Sequence, residues 1–169
     1  MKKLLAFAAI ALLSASFTPV SAQETERAIK QSRLLFAIGY YDVFDDQDGV
    51  DFRAEYRPNS VVFIDNLKPF AGIELTSEGS VWAGGGLLYD WNFKPNWYFT
   101  PSFGVGLYNH AGDDEDLDHP IQFRSQLEVS YEFKNKNRLG LSLSHLSNAG
   151  LGDDNPGTEV LSLSWSLPF

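Results

Sequence analysis

The 169-residue sequence contains no cysteine, which excludes a disulfide scaffold, a thiol enzyme and a cysteine-based zinc site. Basic residues are scarce, 13 Lys and Arg against 22 Asp and Glu, so the chain is a poor nucleic-acid binder. The apolar run Leu4 to Leu13 is well short of the roughly 20 residues that span a bilayer as a helix. It follows Lys2 and Lys3 and gives way to Val20-Ser21-Ala22, the order of a secretory signal peptide, expected over residues 1–22. A mature chain starting at Gln23 has 11 basic and 22 acidic residues, a charge of −11. No Pro/Gly/Ser-rich linker and no repeat divides what remains, so residues 23–169 are expected to form one domain. Glu24 to Gln31 is charged and suits a short helical or disordered arm.

What the sequence has instead is a period of two. Ile121, Phe123, Leu127, Val129, Tyr131 and Phe133 share one parity, and Gln122, Arg124, Gln126, Glu128, Ser130 and Glu132 the other. Only Ser125 breaks the apolar side. Val50 to Arg57 and Trp97 to Leu107 repeat the pattern, and further strands are expected near Arg33 to Val43, Pro69 to Thr76, Ser80 to Asn92, Arg138 to Ser147 and Thr158 to Phe169. These make eight. Short alternating strands in even number are the signature of an all-β, eight-stranded antiparallel transmembrane β-barrel of the outer membrane, with polar residues inside and apolar residues in lipid. A soluble barrel or sandwich would leave the long polar faces wet. Aromatic residues near strand ends (Tyr40, Tyr41, Trp91, Trp97, Tyr98, Tyr108, Tyr131, Trp165) suit interfacial girdles. Pro101 falls mid-strand and predicts a bulge or distortion.

The last hairpin places chemistry on that pattern. His145 and Ser147 continue the greasy parity of Leu139, Leu141 and Leu143, and Glu159 shares that of Leu161, Leu163 and Trp165. A hairpin symmetric about Gly152 puts His145 opposite Glu159, within reach of a carboxylate–imidazole hydrogen bond. With Ser147 two residues away, the three form a candidate nucleophile, base and orienting acid. Asn148, Asn155 and the amides of Gly150 and Gly152 offer oxyanion donors.

His145-Leu146-Ser147-Asn148-Ala149-Gly150-Leu151, then Asn155-Pro156-Gly157, then Glu159, resembles the signature of the PagL family of outer-membrane lipid A 3-O-deacylases. The resemblance covers the whole plan of leader, eight strands and C-terminal aromatic, and is specific in the last hairpin. It implies a serine esterase that removes the ester-linked 3-hydroxyacyl chain at position 3 of lipid A, with Ser147 as nucleophile, His145 as base and Glu159 aligning it. By the same resemblance Asn155 and the Gly150 amide form the oxyanion hole and Asn148 supports it. No cofactor or metal is expected from the residues. The implied partners are lipid A or lipopolysaccharide and outer-membrane lipids, with a homodimer left open. The alternatives are a non-enzymatic small barrel for membrane integrity or adhesion, and a phospholipase with the same serine and histidine.

Three acidic stretches (Asp45, Asp46, Asp48; Asp113 to Asp118; Asp153, Asp154) fall on the external side, where they read as solvated loops or as holders of divalent cations bridging to lipopolysaccharide phosphates. His110 and His119 flank the second stretch at a spacing that fits no zinc pattern. An interior network of Arg53, Glu55, Arg124 and Glu128 is expected to be structural.

Overall fold

The computed structural model describes residues 31–44 and 49–169. The expected signal peptide, the arm before residue 31 and the acidic residues Asp45, Asp46 and Asp48 lie outside the described residues. The strands are β1 (Arg33–Tyr41), β2 (Gly49–Arg57), β3 (Leu67–Thr76), β4 (Val81–Tyr89), β5 (Trp91–Lys94), β6 (Trp97–Asn109), β7 (Ile121–Glu132), β8 (Arg138–Ser147) and β9 (Gly157–Pro168). Every pairing is antiparallel. β1 pairs with β9, and β4 and β5 both pair with β6, so the sheet closes on itself.

The nine segments make eight staves, because β4 and β5 run along the same neighbour. Leu88 pairs with Ser102 and Trp91 with Phe99, which leaves Tyr89 and Asp90 opposite Pro101 and Thr100. Pro101 has no N–H to give the ladder. The distortion expected at Pro101 therefore appears as a lapse in pairing on the facing stave, while the β6–β7 register runs unbroken through Pro101 and Leu127. The register shift lies farther along, between Asn92 and Lys94. Asp90 is held at the gap by the Thr100 hydroxyl and by its own amide donating to the Asn66 carbonyl, 3.2 and 2.9 Å.

Burial follows parity with the sense reversed from a soluble protein. Phe36, Ile38, Phe103, Leu141 and Leu163 are at least half exposed on the outer wall, whereas Arg53, Glu55, Arg124 and Glu128 are at most 3% exposed. A closed sheet has no edge and satisfies its backbone in lipid, so the outer face can be wholly apolar. On the periplasmic side the expected girdle forms: Trp97 meets Tyr131, Tyr131 meets Phe133, Phe133 meets Trp165, with centroids 5.3, 5.3 and 5.6 Å apart. Tyr41, Tyr98 and Tyr108, also assigned to girdles from their positions near strand ends, are instead buried inside. Their parity is that of the lumen, and parity overrides proximity to a strand end.

The lumen is filled. Arg124 pairs with Glu55 and Glu74 across the barrel and lies over the Trp82 and Phe70 rings, 4.7 and 5.1 Å from their centroids. Gly104 and Gly106 leave room for those two rings, since a Cβ at either would overlap Phe70 or Trp82. Arg57 bridges Glu55 and Glu128 at 2.8 and 2.9 Å. A second layer links Arg138 to Asp90 and Glu132 at 2.8 and 3.2 Å. The external mouth is closed by the β6–β7 loop, which drives Leu117 into a cluster with Phe70, Trp82, Leu88, Tyr108 and Leu146.

This network gives a stability test. Arg124→Leu leaves Glu55 and Glu74 in the lumen without their main partner, and is expected to cost about 3 kcal/mol. The measurement is the urea midpoint in lipid vesicles; an unchanged midpoint would mean that Arg53 and Arg57 suffice to hold both carboxylates.

Candidate active site

The hairpin from β8 to β9 pairs His145 with Glu159, Leu143 with Leu161 and Ser147 with Gly157. His145, Ser147 and Glu159 therefore share the outer face, flanked inside by buried Ser144, Leu146, Thr158 and Val160. His145 Nδ1 and Glu159 Oε1 are 2.8 Å apart, with side chains 43% and 23% exposed. A carboxylate bound at Nδ1 selects the tautomer with the proton there, which leaves the Nε2 lone pair as a base. Ser147 is two positions along the same strand, at its external end.

The chain just after β1 holds the backbone around Glu159. The Val43 amide donates to the Glu159 carbonyl at 3.1 Å, and the adjacent Thr158 hydroxyl donates to buried Asp42 at 3.0 Å. These contacts stitch the β1 end to β9 beside Glu159. On the other side, Ser125 of β7 pairs with His145. The residue that broke the apolar pattern of β7 thus lies beside the imidazole. With Pro101, Leu127, Leu143 and Phe44 it lines a groove of about 490 Å³ on the outer wall that reaches His145 and Glu159.

The connecting loop opens with a tight turn of mirror-image type, Ala149 and Gly150 at φ 55 and 82, closed by the Leu151 amide donating to the Asn148 carbonyl at 3.2 Å. Asn148 is fully buried. Its Nδ2 donates to the carbonyls of Leu117 and Asp154 at 3.0 and 2.7 Å, and its Oδ1 accepts from the Gly150 amide at 2.7 Å. The side chain thus points into the mouth and splints the turn. The Gly150 amide is engaged by it, while Asn155 is exposed on the same loop.

Asp118 adds a brace that the sequence did not single out. Its carboxylate accepts the Asp154 amide at 2.8 Å and fills the space a Cβ on Gly152 would take. The acidic β6–β7 loop is in this part a scaffold for the β8–β9 loop. His110 Nε2 lies 3.0 Å from the Asp114 carbonyl, and His119 Nδ1 accepts the Ile121 amide at 3.1 Å. Among the described residues no group of three or more His, Asp or Glu is placed to hold a metal ion.

Residues 63–168 match the family described as Lipid A 3-O-deacylase (PagL), nearly two thirds of the chain and all of the hairpin just described. The chain belongs to the PagL family. A curated relative, Lipid A deacylase PagL of Bordetella bronchiseptica, is 26% identical over 95 residues, covering 55% of this chain and 53% of the relative. Lipid A deacylase PagL of Pseudomonas aeruginosa is 30% identical over 69 residues, covering 39% and 40%. The chain spans about half the length of the curated relatives it matches. The crystal structure of the outer membrane enzyme PagL aligns with a TM-score of 0.62 at 21% identity, covering 81% of this chain and 99% of that one. That likeness shows the outer-membrane barrel fold; family membership rests on the matched residues.

The Asp118 brace is testable on its own. Asp118→Ala removes a charge-assisted hydrogen bond of about 1.5 kcal/mol and is expected to speed hydrogen exchange at the Asp154 amide by about tenfold, with β7 and β8 amides unchanged. Equal exchange in the two proteins would show that the loop holds itself.

Proposed function

We propose that this chain is a serine esterase that removes the ester-linked 3-hydroxyacyl chain at position 3 of lipid A, from the outer leaflet of the outer membrane. The observation that carries the reading is the 2.8 Å His145–Glu159 contact beside Ser147, on a wall that meets lipid and above a groove built from that wall. The acyl chains of lipid A are dissolved in the membrane, so an enzyme that meets them needs its nucleophile outside the barrel. Glu159 lies six residues from Trp165 of the periplasmic girdle, about 20 Å along a strand and, at the usual tilt, about 15 Å in height. That height is a little past the middle of an apolar band about 25 Å tall, which supports a site on the distal side of the membrane, where a carboxylate costs less than at midplane.

The chemistry runs as acyl transfer. His145 Nε2 takes the Ser147 Oγ proton as the oxygen attacks the ester carbonyl, and the negative charge grows on the carbonyl oxygen. Glu159 stabilises the imidazolium from the Nδ1 side. The proton passes from Nε2 to the leaving sugar oxygen, giving the free 3-hydroxyl and an acyl-serine. Water, deprotonated by His145, then releases the 3-hydroxy fatty acid and restores Ser147. Asn155 is the side-chain donor for the oxyanion, and the Gly150 amide joins it by exchanging Asn148 Oδ1 for the developing charge. The groove with Ser125 at its head takes the acyl chain; 490 Å³ lies within the usual range for ligand clefts.

The test is mass spectrometry of lipid A from cells expressing the wild type, Ser147→Ala or His145→Ala. The wild type is expected to remove one hydroxyacyl chain and each variant to turn over at least about a thousandfold more slowly, with the barrel still inserted. Phospholipid assayed alongside is expected to stay intact. Unmodified lipid A with inserted wild type would overturn the reading, and cleaved phospholipid would replace its substrate.

A further inference from the structure

Gly157 opens β9 at a position where the backbone makes no demand for glycine: its φ is not positive. Its missing side chain is nevertheless accounted for. A Cβ at 157 would fall well inside van der Waals contact of His145 Cε1, and 3.3 Å from both Nδ1 and Nε2. The imidazole therefore lies across Gly157, in the volume that any other residue would fill.

The register explains why this matters. His145 faces Glu159 in one row of the ladder, and Ser147 faces Gly157 in the next row towards the exterior. From its own row the ring has to reach forward to the serine while keeping Nδ1 on the carboxylate. Cross-strand neighbours stand only about 5 Å apart, so the facing residue in the serine row decides whether the ring can lean that way. With glycine there, the lane is open. With a methyl there, the ring must turn back, because the rest of the contact is a movable side chain and the Gly157 backbone is fixed in the ladder.

We propose that Gly157 is a positioning residue for the base: it cradles the imidazole so that one ring conformation serves Glu159 and Ser147 together. This rests on the triad reading above. It concerns no group that touches substrate, and it acts only through His145.

The experiment is a double-mutant cycle with Gly157→Ala and His145→Ala, made singly and together in the full-length protein inserted in lipid vesicles. Gly157→Ala is expected to insert as a heat-modifiable barrel, to keep KM on lipid A, and to lose about a hundredfold in kcat, the scale expected for a misplaced catalytic group. Its urea midpoint is expected to fall with His145 present and to stay unchanged with His145→Ala, because the alanine ring-space is then empty. Wild-type kcat in Gly157→Ala, failure of that variant to insert, or an equal fall in midpoint in both backgrounds would overturn the proposal. A fully active His145→Ala would overturn the triad reading and this role with it, whereas an inactive His145→Ala beside a fully active Gly157→Ala would overturn this role alone.

Discussion

Closure of the sheet is the constraint on which everything else depends. Once β1 has paired with β9 and β4 with β6, no backbone edge is left, and each side chain is assigned to lipid or lumen by parity alone. The charged residues of one parity must then satisfy each other inside, as Arg57, Glu55 and Glu128 do. Polar residues of the other parity have no such refuge. His145, Ser147 and Glu159 belong to that second set, and two of them are satisfied by the 2.8 Å bond they make with each other.

The same constraint joins the filled lumen to the site. β8 contributes Ser142 to the interior, hydrogen-bonded to Arg53 at 2.9 Å, and His145 to the exterior three residues later. The wall bearing the proposed triad is thus braced from behind by side chains that point into the lumen. At the mouth, Leu117 anchors in the apolar cluster, and its carbonyl accepts Gln122 and Asn148 at 3.1 and 3.0 Å. Asn148 splints the turn before Gly150. The chain of contacts runs from the barrel core to the loop proposed to hold the oxyanion, and supplies the preorganisation that the proposed acyl transfer requires.

Much of this was legible in the sequence, for a physical reason. Period-two alternation is a local property, so the eight staves, their order and the inside-out sense could be read residue by residue, and the pairing of His145 with Glu159 followed from hairpin symmetry. What escaped was non-local. Leu117 looked like one apolar residue in an acidic loop, and nothing in its neighbours says that the loop folds into the mouth. Asp118 was counted with the solvated acids although it holds the Asp154 amide. Tyr41, Tyr98 and Tyr108 lie near strand ends, but parity sends them into the lumen. Gly157 carried a weak signal, a glycine facing Ser147, that has meaning only once the imidazole is in view. Ser125 carried a stronger one, as the lone polar residue on an apolar face.

The proposed chemistry requires the Ser147 hydroxyl to face lipid. Because the chain has no cysteine of its own, Ser147→Cys can carry a single nitroxide spin label in a bilayer. Oxygen dissolved in the membrane is expected to relax that label more strongly than an aqueous nickel chelate does. A label shielded from both, as in the packed lumen, would place the serine inside and contradict the account.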